Sequence, residues 1–238
     1  MTFRLLPLLA VALGAGALGA CASARTAAPA FQMGEAGAIA RARADSLRYP
    51  WTQADVDFMT GMIHHHAQAI VISRWAPSHG ASPAVQRLTA RIINAQTDEI
   101  RLMQTWLTDR LRPAPAVDST GTVTMPGAGG GAHAGHDMGH AGHAMGGMSM
   151  PGMLSEAQMA ELDAARGADF DRLFLTYMIQ HHRGAVGMVR TLFQAPGAGQ
   201  DETVFKFAND VEVDQSTEIK RMVTMLLEMG HLPPPPQP

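Results

Sequence analysis

Met62-Ile63-His64-His65-His66 stands in the first half of the chain and Met178-Ile179-Gln180-His181-His182 in the second, and this doubling decides the fold. The likeness extends upstream through Asp55/Asp171 and Phe58/Phe174 and downstream through Ala69/Ala185. Each copy is followed by a second shared pattern, Gln96-x-x-Glu99-Ile100-x-x-Met103 in the first half and Gln215-x-x-Glu218-Ile219-x-x-Met222 in the second. At about 100° per residue, Asp55, Met59, Met62 and His66 share one narrow stripe of a helix. Asp171, Leu175, Met178 and His182 do the same, with His65 and His181 at the stripe's edge.

Start and stop signals bound the helices. Thr52 with Asp55 three residues on has the form of a capping box, and Pro77 stops the first helix. Ser82-Pro83 is a cap with a first-turn proline; Val85, Leu88, Ile92, Met103 and Trp106 mark one face of a second helix that ends before Pro113. Ser155 caps a short helix broken at Gly167, a third main helix runs from about Asp169 to Leu192, and Pro196-Gly197 ends it. Asp201 caps a fourth, with Val204, Phe207, Val211, Met222, Met225 and Met229 on one stripe until Gly230. One hairpin cannot cover its own apolar face, so the pattern predicts an all-α fold: a four-helix bundle made of two repeated hairpins, 50–112 and 154–231, related by an approximate two-fold axis.

The remaining chain is of another kind. Residues 113–153 are Gly, Pro, Ala, His and Met with almost no larger aliphatics, which predicts a flexible linker, and residues 232–238 are a Pro-rich tail. Arg4, the apolar run Leu5 to Ala17 and the small residues after it read as an export signal over 1–20, too short to span a bilayer. Leu18-Gly19-Ala20-Cys21 resembles the bacterial lipobox, in which Cys21 would carry the lipid, residues 21–49 would be a tether, and Ala22 is compatible with outer-membrane sorting. Cys21 is the single cysteine of the 238 residues, so the mature chain has no thiolate for a metal, and any ion must be met by His, Met, Asp, Glu or backbone. A net charge of -3 offers no basic face, and nucleic acid is not an expected partner.

Two features carry chemistry. Gln96 and Glu99, and equivalently Gln215 and Glu218, interrupt apolar stripes and bring polar groups into the core beside the paired histidines. A carboxylate buried without a partner costs several kcal/mol or takes up a proton, so these groups need a cation, a proton or a hydrogen-bond network. The candidate ligands are Met62, His65, His66 and Glu99 with Met178, His181, His182 and Glu218; the alternative is that the two Glu pair with neighbouring His and form a structural polar layer. Asp55 is accounted for by its cap, Met59, Met103, Met225 and Met229 by core packing, and His79 and His231 are expected as solvated turn residues. The linker gives an independent signal in His133, His136, His140 and His143 with Met138, Met145, Met148, Met150 and Met153. Imidazole suits copper, zinc and nickel, whereas thioether sulfur is soft and favours Cu(I), so the mixture points to copper and to capture or transfer rather than catalysis.

These residues resemble the domain of unknown function 305 family, whose members carry a helix reading roughly Asp, Phe, Met-Ile-x-His-His, Ala and a following helix with Gln-x-x-Glu-Ile-x-x-Met. Both copies here, Phe58 to Ala69 with Gln96 to Met103 and Phe170 to Ala185 with Gln215 to Met222, fit that pattern, over about residues 50 to 110 and 155 to 230. The resemblance implies a ferritin-like helical bundle, usually exported, with copper binding and copper resistance in some members. His64 and the His/Met linker depart from the pattern. The expectation is therefore a lipid-anchored envelope protein that faces the periplasm and binds or buffers copper, with membrane contact through the lipid alone and an unidentified protein to pass copper to. Two alternatives stay open. One is a di-iron oxidase or iron-storage relative, although such sites use Glu-x-x-His on one helix of each half and here His and Glu sit on separate helices. The other is a non-metal interaction module with a structural polar core.

Overall fold

The structure is a computed structural model that describes residue 34 and residues 37–40, 50–126 and 150–235. In the unit Met1–Ile39, residues 34 and 37–39 are helical; the fold below belongs to the unit Ala40–Pro238. Four long helices dominate it: α1 (Gln53–Arg74), α2 (Pro83–Asp109), α4 (Gly167–Gln194) and α5 (Glu202–Glu228), with a short α3 (Glu156–Ala164) leading into α4. The caps are those the sequence announces. Thr52 and Asp55 exchange both bonds of a capping box, Ser82 caps α2 with Pro83 behind it, Ser155 and Gln158 form a second capping box, and Asp201 accepts from Thr203 and Val204.

The all-α expectation holds, with one small addition. The stretch 113–153, expected as linker, begins with an ordered antiparallel ribbon, β1 (Ala116–Val117) and β2 (Val123–Thr124). Its turn is wound on Asp118, whose carboxylate accepts from the Thr120 and Thr122 amides at 2.8 and 3.0 Å. Gln104 holds the Pro115 carbonyl at 2.8 Å, Arg74 binds the Ser119 carbonyl, and Gly121 lies so close to Val71 that a Cβ there would meet Val71 Cγ2 at 2.2 Å. The ribbon is thus anchored by side chains of α1 and α2, which its own composition does not reveal.

Each hairpin, α1 with α2 and α4 with α5, packs along its length, and the hairpins meet mainly through α1 and α4. Two apolar clusters result, and every long helix contributes to both. The first joins Phe58, Met59 and Met62 to Met103, Trp106, Val189, Phe207 and Val211; the second joins Ile72, Leu88 and Ile92 to Phe170, Phe174, Met178, Met222 and Leu226. Full burial of a side chain such as Phe174 contributes about 2–3 kcal/mol. Between the clusters lies the level of the doubled His and Glu.

The two-fold relation extends to how the hairpins are tied. Asp55 Oδ1, besides its cap, accepts the Gly199 amide at 2.7 Å in the turn before α5. Its counterpart Asp171 accepts the Ser82 amide at 3.1 and 3.2 Å at the start of α2. Each carboxylate therefore staples the other hairpin's turn. Asp201 adds a third tie, taking Trp106 Nε1 at 3.0 Å and an Arg110 guanidinium N–H at 2.5 Å. His79, expected in solvent, is buried instead: its turn tucks under the junction of α3 and α4, where Nε2 sits 3.0 Å from both the Asp163 carbonyl and carboxylate and the ring stacks on Trp75. That contact joins residues far apart in the chain, so no local signal could have announced it. His231 is exposed, as expected.

Candidate metal centre

His65 and His181 meet where α1 crosses α4. Their ring centroids are 3.8 Å apart with a tilt of 42°, and both are fully buried. His66 and His182, also fully buried, turn to the second helix of their own hairpin: His66 Nε2 lies 2.7 Å from Glu99, and His182 Nε2 lies 2.7 Å from Glu218. The two contacts differ in quality. His182 and Glu218 form a hydrogen bond, whereas His66 is off the line an aligned bond needs and is in ion-pair contact only. Glu218 also receives Arg91 Nε at 3.2 Å.

The ring nitrogens carry the chemical meaning. His65 Nε2 faces the Pro151 carbonyl at 3.0 Å, and Nε2 of His66 and His182 faces a carboxylate. Carbonyls and ionised carboxylates only accept, so the neutral rings of His65 and His182 carry their proton on Nε2 and present Nδ1 as a lone pair. Nδ1 of His65, His66, His181 and His182 is buried without a hydrogen-bond partner in every case, as is Nε2 of His66 and His181. A buried polar atom left unpaired costs about 1–3 kcal/mol, so four such atoms at one level of the core call for a function. A carboxylate or carbonyl holding one imidazole nitrogen while the other faces inward is how proteins orient histidine toward a metal. Gln96 and Gln215, buried beside the layer, add unpartnered amide atoms.

The electrostatics keep the two central rings, His65 and His181, neutral. Burial chiefly, then His66 and last His182, lower the His65 ring to about 3, against a smaller opposing influence from the Pro151 carbonyl. Burial, then the neighbouring His65, His182 and His66, hold His181 well below the ordinary value, and burial lowers His64. Burial alone would raise the Glu218 carboxyl, but the hydrogen bond and charge of His182 and the nearby Arg91 outweigh it and keep it below the usual range.

The sequence candidates divide accordingly. His65 is brought onto His181, and each His/Glu pair closes within its own hairpin. Met62 and Met178 are fully buried but fall in opposite apolar clusters, where they also serve as packing. Among the described residues, no three His, Cys, Asp or Glu side chains gather around one point. Cys21, His133, His136, Met138, His140, His143, Met145 and Met148 lie outside the described residues. Met150 and Met153 are described, and they belong to the folded unit rather than to a free linker.

Residues Met150 to Leu154 form a strap in the groove between α1 and α4. Gln68 clamps Leu154 with two bonds, amide to carbonyl at 3.0 Å and carbonyl to amide at 2.8 Å. Gln180 reaches the Gly152 and Met153 carbonyls at 3.4 Å, and a Cβ on Gly184 would run into the Pro151 carbonyl at 2.0 Å. The strap ends on His65, so the segment that closes the groove also fixes that ring's tautomer. Gln68, Gly184 and Arg91 belong to no shared motif of the two halves, and Gln180 enters the repeat only as the residue opposite His64. The available signal was asymmetry, since Gly184 stands where the first copy has Gln68 and Gln180 where it has His64.

A family described as Domain of unknown function (DUF305) matches residues 55–226, and the chain belongs to that family. The fold is similar to that of a DUF305 protein from Streptomyces coelicolor, with a TM-score of 0.57 at 25% identity over 77% of this chain and 98% of that one. It is also similar to CopM in its Cu(I)-bound form, with a TM-score of 0.51 at 26% identity over 76% and 99%, and in its Cu(II)-bound form, with 0.52 at 28% over 74% and 97%. The uncharacterized protein L153 of Acanthamoeba polyphaga mimivirus is 37% identical over 62 residues, 25% of this chain and 41% of that protein. The chain thus spans about two fifths of the length of that relative.

Proposed function

We propose that this chain is an exported copper-binding protein, held to the cell envelope by lipid on Cys21, that buffers copper or passes it on. The observation that carries the reading is the set of buried, unpartnered Nδ1 atoms on His65, His66, His181 and His182. Neutral imidazole nitrogen binds copper readily, and burial keeps His65 and His181 neutral well into acid. The likeness to CopM, solved with Cu(I) and with Cu(II), supports the metal; the likeness to a candidate secreted protein of Streptomyces coelicolor supports export. The His/Met segment supplies further soft ligands. Iron chemistry is less well supported, because His66 and Glu99, and His182 and Glu218, pair between the two helices of one hairpin, and neither Glu99 nor Glu218 is paired with a histidine of the other half. The structural-layer reading has one observation in its favour, the His182–Glu218 bond, and it is compatible with copper at Nδ1.

Copper titration tests the reading. The full chain with His65→Ala and His181→Ala should lose at least one equivalent of Cu(I) and keep its helix content, and deleting 132–149 should lower the total without removing the core site. Purified protein that carries iron after growth in copper-supplemented medium, or a deletion that abolishes all copper binding, would overturn the assignment to the histidine layer. Cys21→Ser should move the protein from the membrane fraction to the soluble one; a variant that stays on the membrane after a salt wash would remove the lipid anchor from the proposal.

A further inference from the structure

The repeat breaks three times at one place. In the register that aligns His65 with His181, Gly61 stands opposite Tyr177, His64 opposite Gln180 and Met188 opposite Ile72. Each change gives this end of the groove either space or a metal-binding side chain. At Gly61 the space is occupied from outside: a Cβ there would meet Met188 Cε at 3.3 Å and Met150 Sδ at 3.6 Å, so a thioether from α4 and one from the strap lie together over the missing side chain. Helical side chains lean toward the N-terminus, so the patch above Gly61 is covered by the residues one turn on, His64 and His65. His65 is bound to the Pro151 carbonyl, next to Met150. His64 is 7% exposed, and both of its ring nitrogens are unpartnered.

We infer that Met150, Met188 and His64 form a second site for a soft monovalent cation, Cu(I) or Ag(I), at the mouth of the groove over Gly61. Two thioethers and one imidazole are a ligand set that a soft ion accepts and that Zn(II) or Mg(II) does not. The site uses none of the buried Nδ1 atoms of the histidine layer, and it adds to the copper reading a place where the ion first meets the folded unit. Through Pro151 and His65 it is one residue from that layer. The sister position, with Tyr177, Gln180 and Ile72, has neither the space nor the sulfur, so the site exists once per chain.

The test follows the methionine methyl signals of the full chain, labelled at methionine methyl carbon, during Ag(I) addition. Met188 is assigned by its disappearance in Met188→Ile. That substitution and His64→Gln install the residues of the sister half, and circular dichroism checks that both variants keep their helices. The Met188 methyl should shift with Ag(I) in the wild type and equally in His181→Ala/His182→Ala, which removes two rings of the histidine layer and leaves the strap's contact with His65 intact, and Met188→Ile should bind about one equivalent less. His64→Gln should weaken the Met188 response by at least the about tenfold that even an outer partner of a metal ligand costs. A Met188 signal that stays fixed while other methyls move would overturn this site and leave the copper reading standing; an unchanged response in His64→Gln would remove the imidazole from it. No Ag(I) bound anywhere would sink both.

Discussion

Glu218 receives a hydrogen bond from His182 and the guanidinium of Arg91, whereas Glu99 has His66 at the same 2.7 Å without alignment. In the register that pairs Gln96 with Gln215, the residue equivalent to Arg91 is Asp210. Asp214 lies near both carboxylates, its own carboxyl raised by burial first and then by Glu99, Asp210 and Glu218, against Arg91, and only Glu218 has the Arg91 guanidinium bound to it. Two copies of one motif therefore share a centre, the stacked His65 and His181, and differ in the counter-charge at their flanks. The lesson is that duplication supplies the ligand types twice, while residues outside the motif decide how firmly each copy is held.

The largest effect belongs to the shared centre. His65 is lowered to about 3 and His181 well below its ordinary value, whereas both rings take up protons near 6.5 once unfolded. The folded state then binds fewer protons than the unfolded one, so their stabilisation is fully present above about pH 6.5 and is lost as pH falls toward the folded values. Between pH 6.5 and 5 the His65 ring removes about 1.7 kcal/mol, and His181, lowered for the same reason, acts in the same direction. Urea unfolding of the metal-free protein at pH 7, 6 and 5 should show the loss, and His65→Leu/His181→Leu should flatten it. A wild-type midpoint that does not move over this range would mean that the rings are not held neutral.

What could be read from sequence follows the range of each signal. Caps, stops and apolar stripes are local, and they placed the helices from Thr52, Ser82, Ser155 and Asp201. The repeat is long-range but self-announcing, and it brought His65, His66, Glu99 and their partners into view. The strap was not legible, because one segment lying across a two-fold axis must break the symmetry that repeat reading relies on: it is clamped by Gln68 on one side and admitted by Gly184 on the other. The ribbon was lost for a related reason, since Pro115 and Ser119 are held by side chains of α1 and α2 rather than by any pattern of their own. Asp55 was understood as a cap, but its second bond to Gly199 depends on the other hairpin.

The flanks give the next effect in size. Removing Glu218 leaves the His182 N–H without its acceptor in the core, a loss of about 3 kcal/mol by the standard of hydrogen-bonded charged groups. Removing Glu99 costs less, about 1 kcal/mol, because His66 is not aligned with it and the side chain is 21% exposed. Glu218→Ala and Glu99→Ala compared by urea unfolding at pH 7 should therefore differ by about 2 kcal/mol. Equal losses would show that the two copies are held alike and that the difference in alignment has no energetic meaning.

The smallest effect tests the counter-charges themselves. Arg91 is 49% exposed and Asp214 is also exposed, so water screens both and neither is worth more than a fraction of the buried contacts. Their signs are nevertheless opposite. Arg91 helps to lower the Glu218 carboxyl, so Arg91→Gln should cost up to about 1 kcal/mol at low salt, with the loss shrinking as salt rises. Asp214 has a raised carboxyl, which means that ionising it in the folded state is unfavourable; that penalty is present at neutral pH and disappears as pH falls and the group protonates. Asp214→Asn should accordingly stabilise by a few tenths of a kcal/mol at pH 7, with the gain fading as pH falls through the unfolded carboxyl's range and gone below about pH 3. Thermal unfolding of the two variants at 20 mM and 500 mM salt reads both. If Arg91→Gln and Asp214→Asn shift stability in the same direction at low salt, the unlike flanks are not electrostatic, and the difference between the copies must lie in the alignment of His66 and His182 alone.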